Sequence, residues 1–198
     1  MSADPDERPD PDSTRDFLAM KFCSACGAAV ERKVPAGDTL PRHVCPVCGA
    51  IHYQNPKLVV GSIPVWEGRF LLCQRAIEPR LGKWTLPAGF MENDETVAQA
   101  ALRETLEEAN ARIELGALFS MLSVPHINQV HLFYQARLLD LEFRPGAESL
   151  AVELFDADAI PWDELAFRTV SQTLRLFLQD RGAGTMRMHC GDIVPRQG

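Results

Sequence analysis

One short segment, residues 89–111, constrains this chain more than any other, because helix signals and concentrated negative charge coincide there. Thr96, followed three residues later by Gln99, matches a capping box, which opens a helix. Asn110 tolerates the left-handed backbone conformation that ends one. The segment therefore predicts a helix that runs between these two caps.

The predicted helix has two different sides, because residues three and four positions apart return to the same side. One apolar stripe contains Ala98, Leu102, Leu106 and Ala109. On the opposite side, three side chains project within a fan of roughly 100°, namely Glu104, Glu107 and Glu108. Apolar residues flank this fan, at Val97, Ala100 and Ala101. The glutamate side is therefore not an ordinary solvated face.

The charge of this segment is poorly balanced. Residues 92–108 carry six acidic side chains and a single cation, Arg103, whereas a solvated helix face normally interleaves Lys or Arg. Like charges about 6 Å apart repel by roughly 3 kcal/mol at an effective dielectric constant of 20. A charged surface helix remains the alternative, but we expect a divalent cation to bind here. Oxygen-only ligands favour Mg²⁺, with Mn²⁺ as a substitute.

Two C-x-x-C-G motifs precede this segment, separated by 18 residues, at Cys23, Cys26, Cys45 and Cys48. Four thiolates at this spacing match a tetrahedral Zn²⁺ ribbon. Disulfides are the alternative, but a chain without a secretion signal is expected in a reducing compartment. Because four cysteines leave no open coordination position, the zinc is expected to be structural. We interpret Cys73 as a buried strand thiol and Cys190 as an incidental residue.

Composition excludes several classes of function. A formal net charge of −7 argues against a nucleic-acid groove, and no run of Lys or Arg offsets it. No window approaches 18 consecutive apolar residues, so no membrane span is expected. The first twenty residues are rich in Asp and Pro and do not form a signal peptide. We therefore expect a cytoplasmic protein with no membrane and no nucleic-acid partner.

Residues 89–111 resemble the Nudix box, the signature of hydrolases that cleave a nucleoside diphosphate linked to another group. That pattern is Gly, five residues, Glu, seven residues, Arg-Glu, an aliphatic, any residue, Glu-Glu, any residue, Gly, an aliphatic. The chain matches at the first glycine and at every charged position: Gly89, Glu95, Arg103, Glu104, Glu107 and Glu108. It departs at Thr105, Asn110 and Ala111, which concern packing and the exit turn rather than the chemistry.

The resemblance implies a role for each matching residue. Mg²⁺ would be held by Glu104, Glu107 and Glu108. Arg103 would pair with Glu95 and fix the loop to the helix, and Gly89 would let the backbone carbonyl approach the metal. Glu104 is the default general base, alone or together with Glu148, which lies on a Pro-Gly loop where related enzymes often place an extra acid.

The fold implied is an αβα sandwich with a mixed β-sheet, preceded by the small four-cysteine ribbon. Strands are predicted at 58–66 and 69–74, joined as a hairpin by Glu67-Gly68, and at 84–88, 113–123, 130–139 and 151–155. Helical segments are predicted at 162–167 and 170–179. His126 and His131 are interpreted as polar edge residues. The predicted domains are a disordered acidic tail (1–18), the ribbon (19–53), the Nudix hydrolase domain (54–182) and a C-terminal extension (183–198).

The resemblance covers about residues 21–180 and extends to the zinc-ribbon Nudix hydrolases of bacteria and plant plastids, whose plant members are FAD and ADP-ribose pyrophosphatases. NADH pyrophosphatases instead carry a Ser-Gln-Pro-Trp-Pro-Phe-Pro-x-Ser array after the box, which residues 119–126 lack. NADH pyrophosphatase activity is therefore the weaker alternative. We therefore expect a homodimer that hydrolyses FAD, ADP-ribose or a similar dinucleotide to AMP and a second monophosphate. Phe90 or Tyr53 would stack on the substrate, and Arg75 would contact phosphate.

Two other functions stay open. Some Nudix domains sense ADP-ribose and regulate transcription, but these need an attached DNA-binding module, and residues 181–198 are too few for one. The other alternative is RNA decapping with the ribbon gripping RNA, against which the net acidity of the chain speaks.

Overall fold

The computed structural model describes residues 20–194, so the predicted acidic tail lies outside the described residues. The chain divides into two compact units. Within the described residues, the first comprises residues 20–55 and the second comprises residues 56–194. No helix within residues 20–194 is long and apolar enough to cross a membrane.

The first unit is built on a small antiparallel sheet in the order β1-β2-β3: β1 Glu31–Lys33, β2 Arg42–Val44 and β3 Ile51–His52. Each C-x-x-C-G motif turns sharply at its glycine, because Gly27 and Gly49 both adopt φ 75°. Their N–H groups donate to the carbonyls of Cys23 and Cys45, at 2.9 and 3.0 Å. The two motifs thus have the same backbone path.

The second unit contains a mixed sheet of eight strands: β4 Lys57–Trp66, β5 Arg69–Arg75, β6 Trp84–Thr85, β7 Ala88–Phe90, β8 Ile113–Val124, β9 Gln129–Leu138, β10 Ser149–Phe155 and β11 His189–Asp192. The order is β10-β5-β4-β9-β8-β11, with β6 beside β5 and β7 beside β4. Strands β4 and β9 pair in parallel, as do β8 and β11, and the other pairs are antiparallel. The mixed sheet is as predicted.

Two helices cover opposite faces of this sheet, α1 Val97–Ala109 and α2 Arg168–Ala183. Successive residues of a strand point to opposite faces. Val60 of β4 packs in a cluster with Ala100 of α1, whereas Ile63 packs in a larger cluster with Leu174 of α2. The predicted sandwich fold is therefore confirmed.

Each helix is joined to the sheet by a buried pair of hydroxyl groups. Ser62 Oγ of β4 lies 2.6 Å from Thr105 Oγ1 of α1, and Ser120 Oγ of β8 lies 2.9 Å from Thr173 Oγ1 of α2. All four residues are fully buried. The departure of Thr105 from the aliphatic of the Nudix pattern is therefore matched by a hydroxyl on the facing strand.

The caps of α1 agree with the sequence, but its buried side does not. Thr96 and Gln99 form the capping box, and Asn110 ends the helix in the left-handed conformation. The two leucines of the apolar stripe are exposed, however, with Leu102 at 40% and Leu106 at 53% exposure, whereas Ala109 of the same stripe is buried. The helix instead buries its small residues together with Glu104 and Glu108, because small side chains let it approach the sheet closely.

Other elements differ from their predictions in detail. The hairpin turn is as expected, since Glu67 and Gly68 both adopt positive φ, as a tight two-residue turn requires. The single strand predicted at 84–88 is two strands, because β6 pairs with β5 and β7 with β4. His131 is not an edge residue: β9 lies between β4 and β8, and the histidine is 8% exposed beside Thr169.

Candidate active site and metal centre

The glutamates of α1 lie against the backbone of β7. Glu104 and Glu108, one turn apart, are each 8% exposed, while the side chain of Glu107 is 58% exposed. Ala88 N donates to Glu108 Oε2 at 3.0 Å. A Cβ added to Gly89 would overlap the carboxylate atoms of Glu104. Glycine is required at this position because any side chain would displace the Glu104 carboxylate.

Arg103 connects the glutamates to the preceding loop. Its Nε and Nη2 donate to the two oxygens of Glu95, at 3.0 and 2.7 Å, as a bidentate pair. Its Nη1 donates to Glu104 at 2.7 Å and to Glu107 at 3.0 Å, and Nη2 also donates to the carbonyl of Phe90 at 3.1 Å. The hydrogen bonds from Arg103 lower the pKa of Glu95 to about 2. One guanidinium therefore orients three carboxylates.

Two of the glutamates, Glu104 and Glu108, are buried, and burial changes their pKa values. Burial raises the pKa of Glu108 to about 8, against the opposing effects of the Ala88 N–H and the Arg75 guanidinium. Burial also raises the pKa of Glu104, although Arg103 opposes it, and the negative charge of Glu148 adds to the rise at both glutamates. The site thus has one cation, Arg103, in direct ion pairs with its carboxylates. Four carboxylates act on one another there, namely Glu104, Glu107, Glu108 and Glu148. Such a set of hard oxygen donors fits a divalent cation.

The loop that carries Glu148 is fastened to the end of α1. Asn110 Nδ2 donates to the carbonyls of Arg144 and Pro145, at 3.2 and 3.3 Å, and Gly146 N donates to Glu108 O at 2.9 Å. A Cβ on Gly146 would overlap the carbonyl oxygen of Glu107, so only glycine permits this approach. Neither anchor was predicted from the sequence, although the Pro-Gly pair at 145–146 was a signal for close backbone approach.

The three predicted substrate-binding residues, Phe90, Arg75 and Tyr53, have different surroundings. Phe90 is 47% exposed, and Lys57 Nζ lies 5.0 Å from the centroid of its ring. Arg75 donates from Nε to Pro79 O at 2.8 Å, and its guanidinium carbon lies 5.1 Å from the Phe167 ring centroid. Tyr53 belongs to the other unit, is 59% exposed and lies under the guanidinium of Arg42.

The four cysteines of the ribbon form one cluster. Their sulfurs lie within 4.8 Å of one another, with 3.7 Å between Cys23 and Cys48 and 3.5 Å between Cys26 and Cys45. A tetrahedral zinc with Zn–S bonds of about 2.3 Å places its sulfurs about 3.8 Å apart, whereas a disulfide requires about 2.05 Å. The donor set therefore fits Zn²⁺ and not a pair of disulfides. The N–H of Cys48 lowers the pKa of Cys45 to about 6, which favours its thiolate.

Comparison with known protein families agrees with both sites. The family model described as the NUDIX domain matches residues 55–177, which is more than half of the chain, and the zinc-ribbon model described as Nudix N-terminal matches residues 21–54. The chain belongs to the Nudix family. Two of the relatives that it matches are named as a hydrolase and a pyrophosphatase.

Several relatives bear on which Nudix hydrolase this chain resembles. The crystal structure of a NUDIX hydrolase from Nitrosomonas europaea is 56% identical, covers 88% of this chain and 99% of that one, and has a TM-score of 0.85. NAD-capped RNA hydrolase NudC of Chromobacterium violaceum is 32% identical over 149 residues, which are 73% of this chain and 53% of that protein. The ADP-ribose pyrophosphatase of Methanocaldococcus jannaschii is 31% identical over 119 residues, 58% of this chain and 69% of that protein. The Nudix chain thus spans about half the length of the NAD-capped RNA hydrolase it matches.

Proposed function

We propose that this Nudix protein is a Mg²⁺-dependent pyrophosphohydrolase that converts ADP-ribose, FAD or a similar dinucleotide to AMP and a second monophosphate. The observation that carries the proposal is the buried carboxylate cluster, in which Glu104 and Glu108 lie against the β7 backbone at Gly89. Burying several carboxylates costs free energy unless a cation compensates their charge. A divalent cation at this site would do so and would also bind the diphosphate of a substrate. Mn²⁺ can substitute for Mg²⁺ in such a site.

The residues that would hold the catalytic metal are Glu104, Glu107 and Glu108. A bound Mg²⁺ supplies charge neutralisation of the diphosphate and lowers the pKa of a coordinated water. Structural Zn²⁺ would be held by the four clustered cysteines, Cys23, Cys26, Cys45 and Cys48.

The side chains of the chain itself hold the site in position and accept the proton. Arg103 holds Glu104 and Glu95 through its hydrogen bonds, so the segment that precedes α1 is fixed to the helix. Glu104, alone or together with Glu148, accepts a proton as water attacks one phosphorus. The P–O bond of the bridge breaks, and the leaving phosphate takes the bridging oxygen.

The part of the substrate beyond the diphosphate would be recognised at Phe90. Its ring is half exposed and is covered by the Lys57 ammonium at a cation–π distance. A flavin or adenine ring can take the same face, which frees Lys57 for a phosphate. Arg75, whose charge already acts on Glu108, is a second phosphate contact.

Chromatographic analysis of the products, AMP and a second monophosphate, across ADP-ribose, FAD, NADH and nucleoside triphosphates, with Mg²⁺ or Mn²⁺, tests the reaction. Glu107→Gln and Glu108→Gln should lower kcat by at least about a hundredfold while the protein stays folded. Glu114→Gln, which removes an exposed carboxylate on β8, is the matched control and should keep full activity. Full turnover by either box variant would refute the assigned roles.

Substrate ranking is the second part of the test. We expect kcat/KM for FAD or ADP-ribose to exceed that for NADH at least about tenfold, which is roughly 1.4 kcal/mol of transition-state binding. The margin is small because all these substrates share the ADP half. Nucleoside triphosphates as the best substrates would instead indicate that the protein removes unwanted nucleotides.

NADH or an NAD-linked RNA end is a second candidate substrate, favoured by the similarity to the NAD-capped RNA hydrolase. NADH as the best substrate would select the NADH pyrophosphatase function, and a salt-dependent gel shift with RNA would select the RNA substrate. Tight ADP-ribose binding without turnover would select a regulatory, non-enzymatic function.

The proposed assembly and location follow from the same resemblance. We expect a cytoplasmic homodimer with about one Zn²⁺ per chain, because four thiolates bind one tetrahedral zinc. Light scattering and elemental analysis check these points, and native protein without zinc would refute the structural-zinc proposal.

A further inference from the structure

We propose that His52 is a positioning residue of the ribbon metal site, which donates a hydrogen bond to the Cys23 sulfur and slows the release of zinc. The proposal rests on the structural zinc proposed above. It concerns a side chain outside the four cysteines and outside both C-x-x-C-G motifs.

The His52 ring contacts a cysteine sulfur of the ribbon. His52 Nε2 lies 3.3 Å from Cys23 Sγ, within the range of a hydrogen bond to sulfur, although the two residues are 29 positions apart. The four cysteine sulfurs lie within 4.8 Å of one another, and His52 is not a member of that group. The ring therefore reaches one sulfur from outside the cluster. It is placed as a hydrogen-bond donor to a ligand and not as a fifth ligand.

The contact from His52 distinguishes the two cysteine motifs. Cys23 and Cys45 occupy equivalent positions, and each accepts a backbone N–H, from Ala25 at 3.4 Å and from Cys48 at 3.5 Å. Both residues are buried, Cys23 at 3% and Cys45 at 1% exposure. Only Cys23 receives a side-chain donor from a histidine within the described residues. A donor to a ligand sulfur fixes the orientation of that ligand, and loss of such a partner weakens metal binding.

The neutral ring is sufficient for this role. A hydrogen on Nε2 points the N–H at the sulfur and leaves Nδ1 free as an acceptor. His52 lies on β3, and its pairing with β2 fixes the ring next to the first motif. The contact thus connects the last strand of the ribbon to its first metal ligand.

The chain offers a matched control in His43, which lies directly opposite His52 on β2. Both histidines are partly buried on adjacent strands of the same small sheet. A variant of His43 therefore reproduces any general loss of sheet stability without removing the contact to sulfur.

The experiment uses the full zinc-loaded chain and measures the rate of zinc transfer to a chromogenic chelator in excess. His52→Phe should release zinc about 10- to 100-fold faster, in the range found when outer hydrogen-bond partners of metal ligands are removed. His52→Gln, whose amide can place an N–H near the position of Nε2, should restore much of the retention. His43→Phe should release zinc at the rate of the unchanged protein.

A second measurement separates positioning from stability. With Co²⁺ in place of zinc, the sulfur-to-cobalt charge-transfer band should shift in His52→Phe and not in His43→Phe, because only the first variant changes a ligand's hydrogen bonding. Equal release by both variants, or an unchanged rate and band in His52→Phe, would overturn the proposal. Native chain without zinc would overturn the structural-zinc proposal together with this one, whereas zinc-loaded protein with unchanged release rejects the role of His52 alone.

Discussion

The buried hydroxyl pair between Ser62 and Thr105 gives a quantitative test of how α1 is held on the sheet. Thr105 Oγ1 donates to the carbonyl of Ala101 at 2.7 Å, so its one hydrogen is used within the helix. Ser62, 2.6 Å away, must then be the donor to Thr105. The pair has a direction, and the two single variants should therefore have unequal effects.

Thr105→Val keeps the shape of the side chain but leaves the buried Ser62 hydroxyl without its acceptor, which costs about 1–3 kcal/mol. Ser62→Ala removes the donor while Thr105 keeps its bond to Ala101, which costs only about 0.5–1.5 kcal/mol. In the double variant no donor is stranded. We expect its loss to be smaller than the sum of the two, with a coupling energy of about 1–2 kcal/mol.

Urea unfolding followed by tryptophan fluorescence measures these free energies selectively. All three tryptophans, Trp66, Trp84 and Trp162, lie in the second unit, so the signal does not report on the ribbon. The control combines Ser62→Ala with Thr173→Val of the other hydroxyl pair, and these effects should add within about 0.5 kcal/mol. Thr105→Val as stable as the unchanged protein, or a double variant equal to the sum, would contradict the assigned direction.

Three further predictions concern other contacts. Burial lowers the pKa of His131 from 6.5 to about 4, so the folded state binds fewer protons than the unfolded one between these values. Stability should therefore fall by about 2 kcal/mol from pH 7 to pH 5 on this account, and urea unfolding of His131→Gln should show a flatter pH dependence. Gly146→Ala should cost about 1–3 kcal/mol because the new methyl meets the carbonyl oxygen of Glu107, whereas Gly182→Ala, in open space on α2, should be neutral or stabilising by up to about 1 kcal/mol in thermal unfolding. Asn110→Gly should keep the helix cap but speed hydrogen exchange of residues 144–148, since the glycine lacks the amide that holds this loop; unchanged exchange would show that the backbone bond of Gly146 is sufficient.

The local signals in the sequence were sufficient for part of this fold. The capping box at Thr96, the left-handed cap at Asn110 and the hairpin turn at Glu67-Gly68 depend on a few neighbouring residues, and all three are present. Such features are readable because the side chain and its partner are close along the chain. The same holds for the two cysteine motifs, whose spacing alone indicated one cluster.

Features decided by distant contacts were not predictable in this way. Periodicity identified one apolar stripe on α1, but whether its Leu102 and Leu106 are exposed depends on which side of the helix packs against the sheet. Strand β11 has a polar sequence that does not predict a strand. Its start is fixed by Asp180 of α2, which accepts hydrogen bonds from His189 Nε2 at 2.8 Å and from Arg187 N at 3.0 Å. Similarly, the proximity of Glu148 to the box glutamates depends on the anchored loop and not on its own neighbours.

The anchoring of residues 144–148 has a consequence for how this protein can change. The loop is attached through backbone carbonyls, the N–H of Gly146 and the amide of Asn110, and none of these contacts uses a side chain from the loop itself. Apart from Gly146, where only glycine fits, and Glu148, the residues of this loop are therefore free to vary while its path remains the same. Asn110, where the usual pattern has glycine, both ends the helix and holds the loop. A new selectivity can then evolve beside the carboxylates by substitution in the loop, without a cost to the geometry that hydrolysis requires.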